Sequence, residues 1–129
     1  MMISKLLWVG LGGFSGSVLR YLVSGWVQQS SGSVAFPWGT FAVNAAGCLA
    51  IGALSYLADT RGILHPEARL FLIVGVLGGF TTFSAFGNET MNLLRDGENL
   101  LAGANVGASV LLCLASVWAG RAIAIAIWR

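Results

Sequence analysis

Between Val74 and Glu89 the chain reads VGVLGGFTTFSAFGNE, which gathers phenylalanines, hydroxyl residues and paired glycines into a few turns. These residue types suit one kind of chemistry. A phenyl ring is positive along its edge, so Phe80, Phe83 and Phe86 can meet an anion where a full positive charge would trap it. Phe83 and Phe86 stand three residues apart, about 60° around a helix, and can line one wall of a path. Hydroxyl and amide donors from Thr82, Ser84, Ser109 and Asn44 can replace water around a small, hard anion. The Gly78–Gly79 pair lets "LGGFTT" leave helical geometry, and freed carbonyls are hard oxygen ligands suited to a small cation.

Other chemistry has little material. The one histidine, His65, lies in a polar loop beside Pro66, and no Cys/His cluster accompanies it, so neither a metal centre nor a nucleophile–base pair is indicated. Cys48 and Cys113 sit far apart in sequence, deep in apolar runs, without metal-ligand spacing, and read as small packing residues. A net charge of +2 with scattered basic residues gives no nucleic-acid footprint. No plausible catalytic set is present, so the chain is not expected to be an enzyme.

The elements that position these groups must be membrane helices. Of 129 residues, 57% are hydrophobic and 9% charged, against about a quarter charged in a soluble domain. A crossing takes about 20 largely apolar residues, and four segments qualify, at about Ile3–Val27, Trp38–Ala58, Leu70–Leu94 and Leu100–Ile127. The expectation is one all-α integral membrane domain over 1–129, with short links and a break in the third helix at its midpoint. The N-terminal segment continues through "VLRYLVSGWV" to a full crossing, so it reads as the first span, not a cleaved leader. Pro66 and Glu67 suit the first turn of the third helix. Gly12 with Gly16, and Gly103 with Gly107, have the spacing that lets helices approach closely. Lys5, Arg61, Arg69, Arg121 and Arg129 fall on one side, and Arg20 and Arg95 on the other, which favours cytoplasmic termini.

Polar residues within the spans form a ladder from the Trp38 side to the centre. Asn44 lies about 9 Å below that interface at 1.5 Å per residue, and Arg20 and Glu89 come to similar depths. Two readings of Arg20 stay open. It snorkels to the interface, or it pairs with Glu89. Asn44 and Ser109 can equally serve as glue between helices or bond within their own helix.

"GGFSGSVLRY" (Gly12–Tyr21), "GTFAVNAAGCLAIG" (Gly39–Gly52) and "GGFTTFSAFGNE" (Gly78–Glu89) resemble the three signatures of the Fluc (CrcB) fluoride channels. Length, span count and motif order match across nearly the whole chain. The resemblance implies an antiparallel, dual-topology homodimer with two pores, passively exporting fluoride across the cytoplasmic (inner) membrane. It implies that Phe83 and Phe86 are pore phenylalanines and Asn44 a pore amide. Thr82, Ser84 and Ser109 would belong to a polar track, and Arg20 to a vestibule. Gly78 and Thr81 would give backbone carbonyls to a structural sodium ion at the dimer centre. Many relatives carry a tyrosine where Asn105 stands and a second hydroxyl near Cys113. The rival reading is a small multidrug or cation antiporter, also a four-span dual-topology dimer. That mechanism needs an acid in the chamber, and the first span has no Asp or Glu.

Overall fold

The computed structural model describes residues 1–128; Arg129, counted above with the basic side, lies outside them. Four helices are long and apolar enough to cross a membrane: Met2–Ser31 (α1), Trp38–Thr60 (α2), Pro66–Arg95 and Asn99–Ile127 (α5). The third is made of residues 66–80 (α3) followed by Phe83–Arg95 (α4). A 30-residue helix is about 45 Å long, against about 30 Å of hydrocarbon. The helices therefore run past their apolar windows into the interface. α1, for example, continues through Gln28 and Gln29 to Ser31, because a polar side chain in the headgroup layer gives no reason to unwind.

The helix ends follow local rules. Pro66 takes the first helical position of α3, where its missing donor is no loss, and Glu67 sits in the positive first turn. α1 stops at Gly32, whose φ of 63° is a left-handed conformation that costs glycine little. Gly97, at φ 81°, reverses the chain between α4 and α5, and the following Glu98 N–H bonds back to Leu93 O at 2.8 Å. In the first link, Gln28 Nε2 donates to Ser33 O and Phe36 O, while its Oε1 accepts from Gly39 N–H. One side chain thus fixes how α1 turns into α2.

α3 winds as a π-helix over Leu70–Leu77 and returns to α geometry at Gly78–Phe80. Thr81 (φ −84°, ψ 156°) and Thr82 (φ −151°, ψ 118°) are extended, and helical winding resumes at Phe83. The Thr82 hydroxyl caps α4 by accepting from Ala85 N–H at 3.1 Å, satisfying one of the donors that a helix start leaves orphaned.

Packing separates the glycine pairs that the sequence presents alike. A Cβ at Gly12 would collide with Phe71 O and stand 2.9 Å from Gly75 Cα, and one at Gly16 would collide with Val76 O. α1 and α3 thus touch backbone to backbone. α2 and α5 do the same where Gly52 abuts Val117 O and Gly120 abuts Leu49 O. Gly103 and Gly107 face open space, so their spacing serves no contact inside this chain. Most large apolar side chains, among them Phe14, Leu111 and Trp118, point outward. In lipid that exposure is neutral, since acyl chains are as apolar as leucine.

Candidate functional site

A cleft of about 400 Å³ opens between α2, the Thr81–Thr82 link and α5. It brings together Asn44, Gly78, Thr81, Thr82, Phe83, Phe86 and Ser109. Three predicted residues are not on its wall, Phe80 being the first. Ser84 stands beside it, exposed, with its hydroxyl 3.2 Å from that of Thr82. Arg20, on α1, is separated from the cleft and partly exposed.

The link is fixed from α2. Asn44 Nδ2 donates to Thr82 O at 3.0 Å, and Asn44 Oδ1 accepts from Thr82 N–H at 2.8 Å. An amide is well matched to this task, because it offers a donor and an acceptor side by side to one residue's backbone. The consequence reaches two carbonyls. In a continuous helix Gly78 O would accept from Thr82 N–H, and Thr81 O from Ala85 N–H. The first donor is turned to Asn44 and the second to the Thr82 hydroxyl. Gly78 and Thr81, both on the cleft wall, therefore have carbonyls without their usual helical donors. Neutral oxygens of this kind fit a monovalent cation, which asks less of its ligands than a divalent one. Among the described residues, no three His, Cys, Asp or Glu side chains converge in a metal-binding group.

The Phe83 and Phe86 rings lie 5.4 Å apart between centroids, tilted by 44°. Phe83 is 83% exposed, so its ring stands at the open side of the cleft and is held by little within this chain. Behind Phe86 runs a chain of hydrogen bonds. Thr90 Oγ1 donates to Phe86 O at 2.8 Å, Asn105 Nδ2 donates to Thr90 Oγ1 at 3.0 Å, and Ser109 Oγ donates to Asn105 Oδ1 at 3.4 Å. Asn105 is only 1% exposed. Its amide joins α4 to α5.

A second cavity, about 630 Å³, lies under the first link, bordered by Gln28, Phe36, Thr40, Glu89, Asp96 and Glu98. Here Thr40 Oγ1 donates to Glu89 Oε1 at 2.6 Å. Arg20 does not pair with Glu89; the ion pairs among the described residues are Asp59–Arg69 and Arg95–Asp96. The reason is topological. α1 packs against α3, whereas α4, past the extended link, packs against α5 and α2. Matching depth put the two charges at one level but on different sides.

Sequence reasoning missed Thr40 and Thr90. Each stands four residues from a residue it did identify, Asn44 and Phe86, and so shares that residue's helix face. That spacing was the available signal.

Residues 7–121 match the family model described as "CrcB-like protein, Camphor Resistance (CrcB)". The chain belongs to the CrcB family. It is 43% identical over 123 residues to a protein of Methylocella silvestris, covering 94% of this chain and 93% of that one. It is 47% identical over 124 residues to one of Opitutus terrae, covering 95% and 93%. A Rhizobium etli protein is 49% identical over 122 residues, covering 95% and 96%. Each of the three is named "Fluoride-specific ion channel FluC". Family and helices together make this a multi-pass membrane protein.

Proposed function

We propose that this protein is a fluoride-selective channel, not an enzyme, that lets fluoride leave the cytoplasm passively across the inner membrane. The observation that carries the reading is the cleft itself. It sets the Phe83–Phe86 ring pair against the hydroxyl of Ser109 with no cationic side chain among the described residues of its wall. Fluoride holds water tightly, so a path must supply donors as it strips that water, yet bind weakly enough to release the ion. Ring edges from Phe83 and Phe86 do both, joined by the Thr82–Ser84 hydroxyl pair, which has one proton to spare, and by Ser109 when its proton turns from Asn105 to the ion. Asn44 works mainly through backbone: it spends an amide hydrogen and its carbonyl on Thr82, keeping one N–H to offer the ion. Arg20, partly exposed on α1, draws anions toward the vestibule. The antiporter alternative has no support here, since α1 carries no acid and the compared relatives bear the fluoride-channel name.

The functional unit in this reading is an antiparallel homodimer of dual topology. The Gly78 and Thr81 carbonyls, without helical donors on an open cleft, favour a covering partner, because lipid cannot satisfy them. A two-fold axis in the membrane plane maps midplane onto midplane, so it brings the break in the third helix against its own copy. The carbonyls of Gly78 and Thr81 from both chains then converge to hold a sodium ion. Bound there, the ion would neutralise four carbonyl dipoles and tie the two chains together.

Efflux of fluoride and chloride from liposomes holding purified protein tests the proposal. Fast fluoride release with little chloride release is expected. Equal release of both ions, or of neither, contradicts it. In the same liposomes, replacing sodium by a bulky organic cation on both sides should slowly disable flux, and indifference to the exchange would remove the sodium site. Labelling Ser31→Cys from each side of the membrane should find both orientations; labelling from one side only would remove the antiparallel dimer.

A further inference from the structure

Cys48 and Cys113 have no part in the path described above, yet both lie on the cleft wall. Their placement follows from register. α2 and α5 run in the same direction, because a single crossing, the third span, lies between them. Gly52 abuts Val117; one turn back along both helices are Cys48 and Cys113, and one turn further are Asn44 and Ser109. The two thiols face one cleft from helices that touch backbone to backbone, and both cysteines are free. Each is partly exposed to the cleft.

Thiols are poor hydrogen-bond donors, so this rung offers fluoride little. What paired thiols offer is softness. Thiolates select soft metal ions over hard ones. Zinc takes four ligands in a structural site, and no third His, Cys, Asp or Glu joins these two among the described residues. A linear pair of sulfurs instead suits a closed-shell monovalent ion. We infer that Cys48 and Cys113 form a two-coordinate site for a soft monovalent cation of the silver(I) or copper(I) class.

Binding is an exchange of protons for metal with no change of oxidation state. Each S–H bond breaks, two S–metal bonds form, and two protons leave to solvent. One positive ion replaces two protons, so the occupied site carries a net charge of −1. That charge sits one turn from Ser109, in a cleft with no cationic side chain among the described residues of its wall. An entering anion is repelled, and occupancy closes the path. The closure rests on the cleft being the fluoride path; the metal site does not.

The test separates the two. Purified protein in chloride-free buffer is given silver nitrate and desalted, and retained silver is counted by elemental analysis. Wild type should retain about one silver ion per chain. Cys48→Ala and Cys113→Ser, checked for a monodisperse peak, should each retain it about tenfold more weakly, because one sulfur alone gives half the ligand set. Retention should also fall as pH is lowered, since protons compete for both sulfurs. Equal retention by wild type and both variants, or none by wild type, overturns the site. In liposomes, silver should stop fluoride efflux in wild type and a small dithiol should restore it, each variant being compared with its own silver-free rate. Full flux through silver-loaded wild type overturns the closure. Absence of flux before silver is added would count against the fluoride reading, while the silver count still decides the site.

Discussion

On either side of Thr81 the third span meets its neighbours in different ways. Residues 66–80 lie against α1 with backbone touching backbone, through Gly12, Gly16, Gly75 and Gly79. Phe83–Arg95 is tied instead by side-chain hydrogen bonds: Thr40 to Glu89, Asn105 to Thr90, and Asn44 to the link itself. Close glycine packing leaves no space. Polar ties hold helices at side-chain length, and the cleft opens where the two halves meet, with Leu77 and Gly78 from the first and Phe83 and Phe86 from the second on its wall. The first half is thus built for rigidity and the second for a lined path, and the comparison can be broken from either end.

The largest effect should come from the packed half. Gly16→Ala places a methyl group against Val76 O, which is backbone and cannot swing aside. Overpacking of this kind costs about 3 kcal/mol, and most of the protein should be lost from the monodisperse peak after extraction. Gly13→Ala, where a Cβ meets nothing within 4 Å, should be neutral or gain about 0.5 kcal/mol from helix propensity. Equal damage from both would show that the α1–α3 contact is looser than described.

Next comes the clamp on the link. Asn44→Ala leaves the N–H and C=O of Thr82 without partners, at about 1–3 kcal/mol for an unsatisfied buried group. It should lower both thermal stability and fluoride flux, since the link loses the side chain that fixes it to α2. Wild-type flux with lowered stability would separate the clamp from the path. Asn44→Asp keeps the acceptor for Thr82 N–H but loses the donor and sets a carboxylate on the cleft wall, so it should lose flux at least as fully as Asn44→Ala.

A smaller effect should distinguish the two partners considered for Glu89. Thr40→Val and Glu89→Gln should be coupled by about 1 kcal/mol in a double-mutant cycle, since one removes the donor to the other. Arg20→Ala and Glu89→Gln should add within about 0.5 kcal/mol. Coupling in the second cycle and none in the first would reverse the assignment.

These pairs also show what was legible beforehand. Four crossings could be read from apolar run lengths, because hydrocarbon thickness imposes them. The glycine pair drew attention to this stretch, but Gly78–Phe80 is helical and the extended residues are Thr81 and Thr82. Azimuth was not legible. Depth put Arg20 level with Glu89, but which way each faces depends on how α4 leaves the Thr81–Thr82 link. Gly103–Gly107 has the same spacing as Gly12–Gly16, and only packing tells an outward face from an inward one. Asn44 was identified as a pore amide from resemblance; that it also clamps Thr82 needed the tertiary contact, because no pattern in the chain says which backbone an amide will meet.

The central claim, that the polar-held half forms the fluoride path, is tested most directly by flux through Phe86→Ile. Isoleucine keeps an apolar side chain beside Phe83 and removes the ring edge. With folding intact by its thermal transition, fluoride efflux from liposomes should fall at least about tenfold, the equivalent of losing about 1.4 kcal/mol from the barrier-lowering contact. Efflux at the wild-type rate in a well-folded Phe86→Ile protein would contradict the account.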